Sequence, residues 1–101
     1  MFRQETVSGG ETILTITGSV SGEVVAEFGK KIEALAAGHA TTVTLDLSQC
    51  TAMNSEAIGK LLVLRMRMGE RKKALRIEGC SPQLWSIFKT IKMDSLIPMQ
   101  Q

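Results

Sequence analysis

A chain of 101 residues has room for one domain with one core and not for two. Hydrophobic residues at 44% and charged residues at 22% fit a globular fold, and a net charge of +2 is too small to point to nucleic acid. With three Phe, one Trp and no Tyr, the core falls to Leu, Ile, Val, Met and Ala, and most of the six Met are expected inside it.

The first ten residues, MFRQETVSGG, lack the apolar stretch of a secretory signal. The longest strongly apolar run, LLVL at 61–64, is far too short to cross a membrane. The expectation is therefore a cytoplasmic protein whose two cysteines, Cys50 and Cys80, stay reduced. Both cysteines fall just after predicted strands.

RQETV and ETILTIT flank the turn-forming Ser8-Gly9-Gly10, which predicts a hairpin, and Gly18 closes its second strand. A helix over 23–37 follows, with Val24, Val25, Phe28, Ile32, Leu35 and Ala36 on one face. Ser21 or Gly22 can start it and Gly38 can end it. Gly29 in its middle costs about 1 kcal/mol against Ala, which suggests close packing against a strand. TTVTLDLSQC reads as one strand, with Val43, Leu45 and Leu47 on one side and Thr42, Thr44, Asp46 and Ser48 on the other. That alternation predicts one covered face and one partly open face.

A helix over 55–69 carries a wide apolar stripe of Ala57, Ile58, Leu61, Leu62, Leu64, Met66 and Met68. Its basic end (Arg65, Arg67, Arg71, Lys72 and Lys73) reads as cations near a helix C-terminus, and no aromatic residue interleaves them for base stacking. KALRIEG is a short strand. Ser81 and Pro82 then open a helix that buries Leu84, Trp85, Phe88 and Ile91. SLIPM is a last extended piece, which Pro98 confines to an edge or a strand end. The order β-β-α-β-α-β-α-β predicts an α/β fold, with a mixed, mostly parallel sheet and an N-terminal hairpin. Helices follow the second, third and fourth strands, and residues 2–99 form one domain.

Catalytic groups are sparse. His39 is the only histidine and lies in a predicted turn, and no nucleophile elbow accompanies it. One His and two scattered Cys fall short of a zinc site, and no glycine-rich nucleotide loop occurs. No enzyme activity, metal or cofactor is expected.

Attention therefore turns to NSEAIG at 54–59, where a helix N-terminus meets the carboxyl edge of the sheet. Asn54 or Ser55 could be the N-cap, and Glu56 suits the first turn. A phosphate on Ser55 would add about −1.5 to −2 charge beside unpaired helix N–H groups. A binding surface could be switched there without an active site.

The stretches VTLDLSQCTAMNSEAIGKLLVLRMRM and ALRIEGCSPQLWSIFKTIKMDSLIPM resemble a STAS domain, the family of bacterial anti-sigma factor antagonists. The family loop reads Asp-Ser-Ser-Gly, then an apolar residue and Gly. Here Asn54 takes the Asp position, Ser55 that of the phosphoacceptor, Glu56 the second Ser and Ala57 the first Gly, while Ile58 and Gly59 keep the pattern. The resemblance implies a non-enzymatic partner switch in transcription regulation. The unphosphorylated protein binds an anti-sigma factor with serine kinase activity and frees the sigma factor. Phosphorylation of Ser55 breaks the complex, and a serine phosphatase restores it. Expected partner contacts are Met53, Asn54, Ser55, Glu56 and Lys60, with no direct nucleic-acid contact and no membrane insertion. The alternative is an unphosphorylated STAS accessory subunit that docks on a transporter ATPase or signalling scaffold.

Overall fold

The computed structural model describes residues 1–101, apart from the side chain of Ser8. β1 (Phe2–Val7) runs antiparallel to β2 (Glu11–Ile16), which gives the predicted hairpin. β4 (Thr42–Asp46) lies parallel to β2, and β6 (Ala74–Glu78) lies parallel to β4, so the main sheet has the order β1-β2-β4-β6. The helices are α1 (Val24–Ala37), α2 (Ser55–Glu70) and α3 (Pro82–Thr90).

Alternation along the strands divides the sheet into two faces. In register, Leu14, Leu45 and Ile77 form a fully buried row, and Thr12, Val43 and Leu75 form a second row. This inner face joins Phe28 and Ile32 of α1, Leu61 and Leu64 of α2, and Leu84 and Phe88 of α3 in one hydrophobic cluster. Phe2 stacks on Phe28 with ring centroids 5.9 Å apart, which ties the edge strand to α1. The opposite face is rich in Thr and charge, as the sequence predicts. Thr44 on that face is nevertheless only 2% exposed, and its hydroxyl is satisfied by donating to the Glu11 carboxylate at 2.9 Å.

The main departure lies in TTVTLDLSQC, which is not one strand. β4 stops at Asp46 because its carboxylate accepts from both the N–H and the hydroxyl of Ser48, at 3.0 and 2.8 Å. The chain turns there and re-forms as β5 (Cys50–Met53). β5 pairs in parallel with β3 (Gly18–Val20), so Gly18, just past the end of β2, also kinks the chain at φ +89° into a second two-stranded sheet. Gly79 supports the same turn from beside it. Its φ is +66°, and a Cβ there would stand 3.0 Å from both Asp46 Oδ1 and Ser48 Cβ.

The helix details also shift. Ser21 contributes its carbonyl rather than its hydroxyl to the start of α1, accepting from the Val24 N–H at 3.3 Å. Gly29 packs against α2 instead of a strand, with the Lys60 side chain lying across the space a Cβ would fill. The wide stripe on α2 narrows to Ala57, Leu61, Leu64 and Met68, leaving Leu62 and Met66 exposed. On α3, Trp85 is half-buried, and Ile91, at the C-cap, is 47% exposed.

Ser81 and Pro82 behave as the sequence predicts, with Ser81 capping the Leu84 N–H. The basic residues after Arg65 have separate duties. Arg67 faces Glu33 at 4.0 Å, Lys73 donates to the Gly38 carbonyl at the end of α1, and Lys72 takes the left-handed position after α2.

Candidate functional site

β5 delivers the chain to the start of α2 at one edge of the molecule. The Asn54 N–H donates to the Val20 carbonyl at 3.1 Å, which makes Asn54 the last extended residue of this segment. Its side chain turns back, and Oδ1 accepts from the Ala57 N–H at 2.9 Å. The Asn54 carbonyl accepts the first helical bond, from Ile58 at 3.0 Å. Asn54 is thus the N-cap, and one of the two candidates is removed from that role.

Ser55 becomes the first residue of α2. It is exposed, and its hydroxyl has no hydrogen-bond partner among the described residues. The N–H groups of Ser55 and Glu56 are helix-end donors with no intrahelical acceptor. Glu56 is exposed in the first turn, where a carboxylate favours the helix dipole. Ala57 is fully buried and ordinarily helical, so the position occupied by Gly in the family loop needs no left-handed backbone here.

The remaining expected contacts divide. Lys60 is half-buried, its stem resting on Gly29 while it lines a groove between α1 and α2 with Ala26, Lys30 and Val63. Met53 is only 6% exposed and belongs to the core, beneath the rim formed by Asn54, Ser55 and Glu56. Gly59, one helical turn beyond Ser55, is exposed with nothing within 4 Å of a hypothetical Cβ. Sequence reasoning assigned Gly59 no role beyond matching the family loop.

The two cysteines lie behind this joint and are both buried. The Cys50 and Ser81 N–H groups donate to the same Leu47 carbonyl, at 3.1 and 3.3 Å, which brings the two cysteine-bearing segments together. Burial pushes both thiols above the ordinary value of 9.0, and Cys80, with Cys50 beside it, rises to about 11. Neither is poised as a nucleophile. His39 is exposed in its turn. Among the described residues no group of three or more His, Cys, Asp or Glu could hold a metal ion, and no helix is long and apolar enough to cross a membrane.

The family model described as Mlab, STAS domain matches residues 4–98. The chain belongs to this STAS family. Solved STAS-like structures share its fold. The Bacillus cell fate determinant SpoIIAA in its phosphorylated form superposes with a TM-score of 0.78 at 18% identity, over 100% of this chain and 92% of that one. An anti-sigma factor antagonist from Mycobacterium paratuberculosis gives 0.89 at 15% identity, over 99% and 84%. A sulfate transporter family protein from Wolinella succinogenes gives 0.77 at 12% identity, over 95% and 80%. At these identities the likeness is one of fold. A search of curated protein sequences finds no match.

Proposed function

We propose that this STAS domain, acting as one unit over residues 2–99, is a non-enzymatic anti-sigma factor antagonist in the cytoplasm. Its partner is an anti-sigma factor with serine kinase activity, and phosphorylation at Ser55 switches the binding off. The observation that carries the reading is the division of work at the start of α2. Asn54 caps the helix, so the Ser55 hydroxyl stands exposed and uncommitted.

In the proposed cycle the Ser55 Oγ attacks the γ-phosphorus of ATP held by the kinase. The new bond is Oγ–P, the bond between the γ-phosphorus and the β,γ-bridging oxygen breaks, and the seryl proton passes to a base of the kinase. The phosphate adds about −1.5 to −2 charge at a helix end that tolerates it, beside the unpaired N–H groups of Ser55 and Glu56. The domain stays folded while its rim becomes strongly anionic. Glu56 adds to that negative charge, and a partner surface fitted to the neutral rim is repelled. A serine phosphatase hydrolyses the ester and restores binding. Asn54, Ser55, Glu56 and Lys60 supply the contact surface, and Met53 supports the rim from the core.

The reading is tested by incubating the protein with candidate kinases from the same genome and mapping the modified residue by mass spectrometry. Phosphate on Ser55 is the expected result; modification elsewhere, or none by the kinase that binds the protein, would sink the assignment.

A second reading rests on the loop itself. Asn54-Ser55-Glu56-Ala57 departs from Asp-Ser-Ser-Gly at three positions, and the fold is shared with a sulfate transporter family protein. In this reading the same rim docks on a transporter ATPase and Ser55 is never modified. Co-purification of transport components with unmodified protein would favour it.

A further inference from the structure

β6 is an edge strand, and only half of its edge is closed. In the parallel pairing with β4, residues 74, 76 and 78 point their backbone groups inward, and residues 75 and 77 point theirs outward. The C-terminal segment satisfies Ile77: its N–H donates to the Pro98 carbonyl at 2.9 Å, and its carbonyl accepts from the Gln100 N–H at 2.9 Å. Leu75, though only 6% exposed as a residue, finds no backbone partner for its N–H or C=O among the described residues.

Two features keep the C-terminal segment from closing this gap. Continuing the parallel ladder would require position 98 to donate to the Leu75 carbonyl, and Pro98 has no N–H. It would also require the Leu96 carbonyl to accept from the Leu75 N–H; that carbonyl accepts from Arg65 Nε at 3.1 Å instead, and no bond to Leu75 forms. The result is a groove of about 640 Å³ between α2, β6 and the C-terminal segment. Its apolar lining includes Met66 and Leu96, which are 54% and 43% exposed. Its charged lining is Arg65, Lys73 and Arg76 against the carboxylate Glu70, with Arg76 also paired to Glu78 beside the groove and Lys73 donating to the Gly38 carbonyl.

We propose that this groove is a docking site for a short extended segment of a partner protein, carrying alternating apolar and acidic residues. The segment adds to the β6 edge at Leu75, its main chain supplying the acceptor and donor that the C-terminal segment cannot. An apolar side chain settles between Met66 and Leu96, and an acidic one faces Arg65, whose guanidinium has no carboxylate partner among the described residues. This surface is separate from the rim around Ser55 and is independent of phosphorylation there.

The test is an NMR titration of 15N-labelled protein with a capped peptide of alternating Glu and Val, and with a control of alternating Lys and Val. With the acidic peptide the Leu75 amide should shift, and at saturation its exchange should slow about tenfold, the equivalent of one net hydrogen bond. The Ile77 amide, already bonded to Pro98, should keep its exchange rate. Arg65→Glu should weaken the acidic peptide about threefold, with its spectrum reporting that the fold is kept. An unmoved Leu75 amide, or an equal response to the lysine peptide, would overturn the proposal. So would protection of Leu75 that rises with protein concentration in the absence of peptide, because the occupant would then be a second copy of the chain.

Discussion

Asn54 holds the Ala57 N–H at 2.9 Å, while Ser55 beside it exposes a hydroxyl that bonds to nothing among the described residues. Their substitutions should therefore differ sharply in urea denaturation. Asn54→Ala loses a cap and should cost about 1 kcal/mol, whereas Ser55→Ala should stay within about 0.5 kcal/mol of wild type. The sequence could not separate the two, because both residue types cap helices equally well. What separates them is the β3–β5 pairing, which holds Asn54 extended through its bond to Val20. The buried Cys80 thiol makes stability depend on pH. This thiol titrates near 11 in the folded protein and near 9 when unfolded, so between these values the unfolded chain releases its proton first. Stability should hold up to about pH 9 and fall as pH rises toward 11. Urea midpoints across that range should show the fall, and Cys80→Ala should reduce it to the share that the buried Cys50 thiol contributes.

At the scale of elements, the three helices were legible because each has a strong apolar period, and Ser81-Pro82 marks one start without ambiguity. The strands β3 and β5 were not, being three and four residues long and without alternation of their own. The available signal was Asp46 two residues before Ser48, the spacing of a side-chain-closed turn, which lies hidden in a run that otherwise alternates well. Gly79 should prove essential to that turn. Gly79→Ala forces a left-handed backbone on alanine and crowds Asp46 and Ser48, and should cost about 1–3 kcal/mol in a denaturant titration. Gly59 should behave oppositely. Gly59→Ala meets open space in an exposed helix and should stabilise the protein by roughly 0.5–1 kcal/mol. Loss of partner binding in that more stable variant would mark Gly59 as a point of close approach.

Across the whole molecule, the helices pack against one face of the main sheet and leave the other face to Thr and charge. The two short strands extend past the ends of β2 and β4, and α2 starts where they finish, so the candidate switch stands at a rim built by the second sheet. The family resemblance was legible over most of the chain, while the small sheet that positions the rim was not. In the proposed cycle, recognition at this rim depends on the charge at Ser55. The most direct measurement is affinity capture from the native cell extract with wild type, Ser55→Ala and Ser55→Asp, followed by quantitative mass spectrometry. A serine kinase should be retained by wild type and Ser55→Ala and depleted from Ser55→Asp, with phosphate on Ser55 in a fraction of the wild-type protein. Equal recovery of one partner by all three proteins, with Ser55 unmodified, would contradict the proposed cycle.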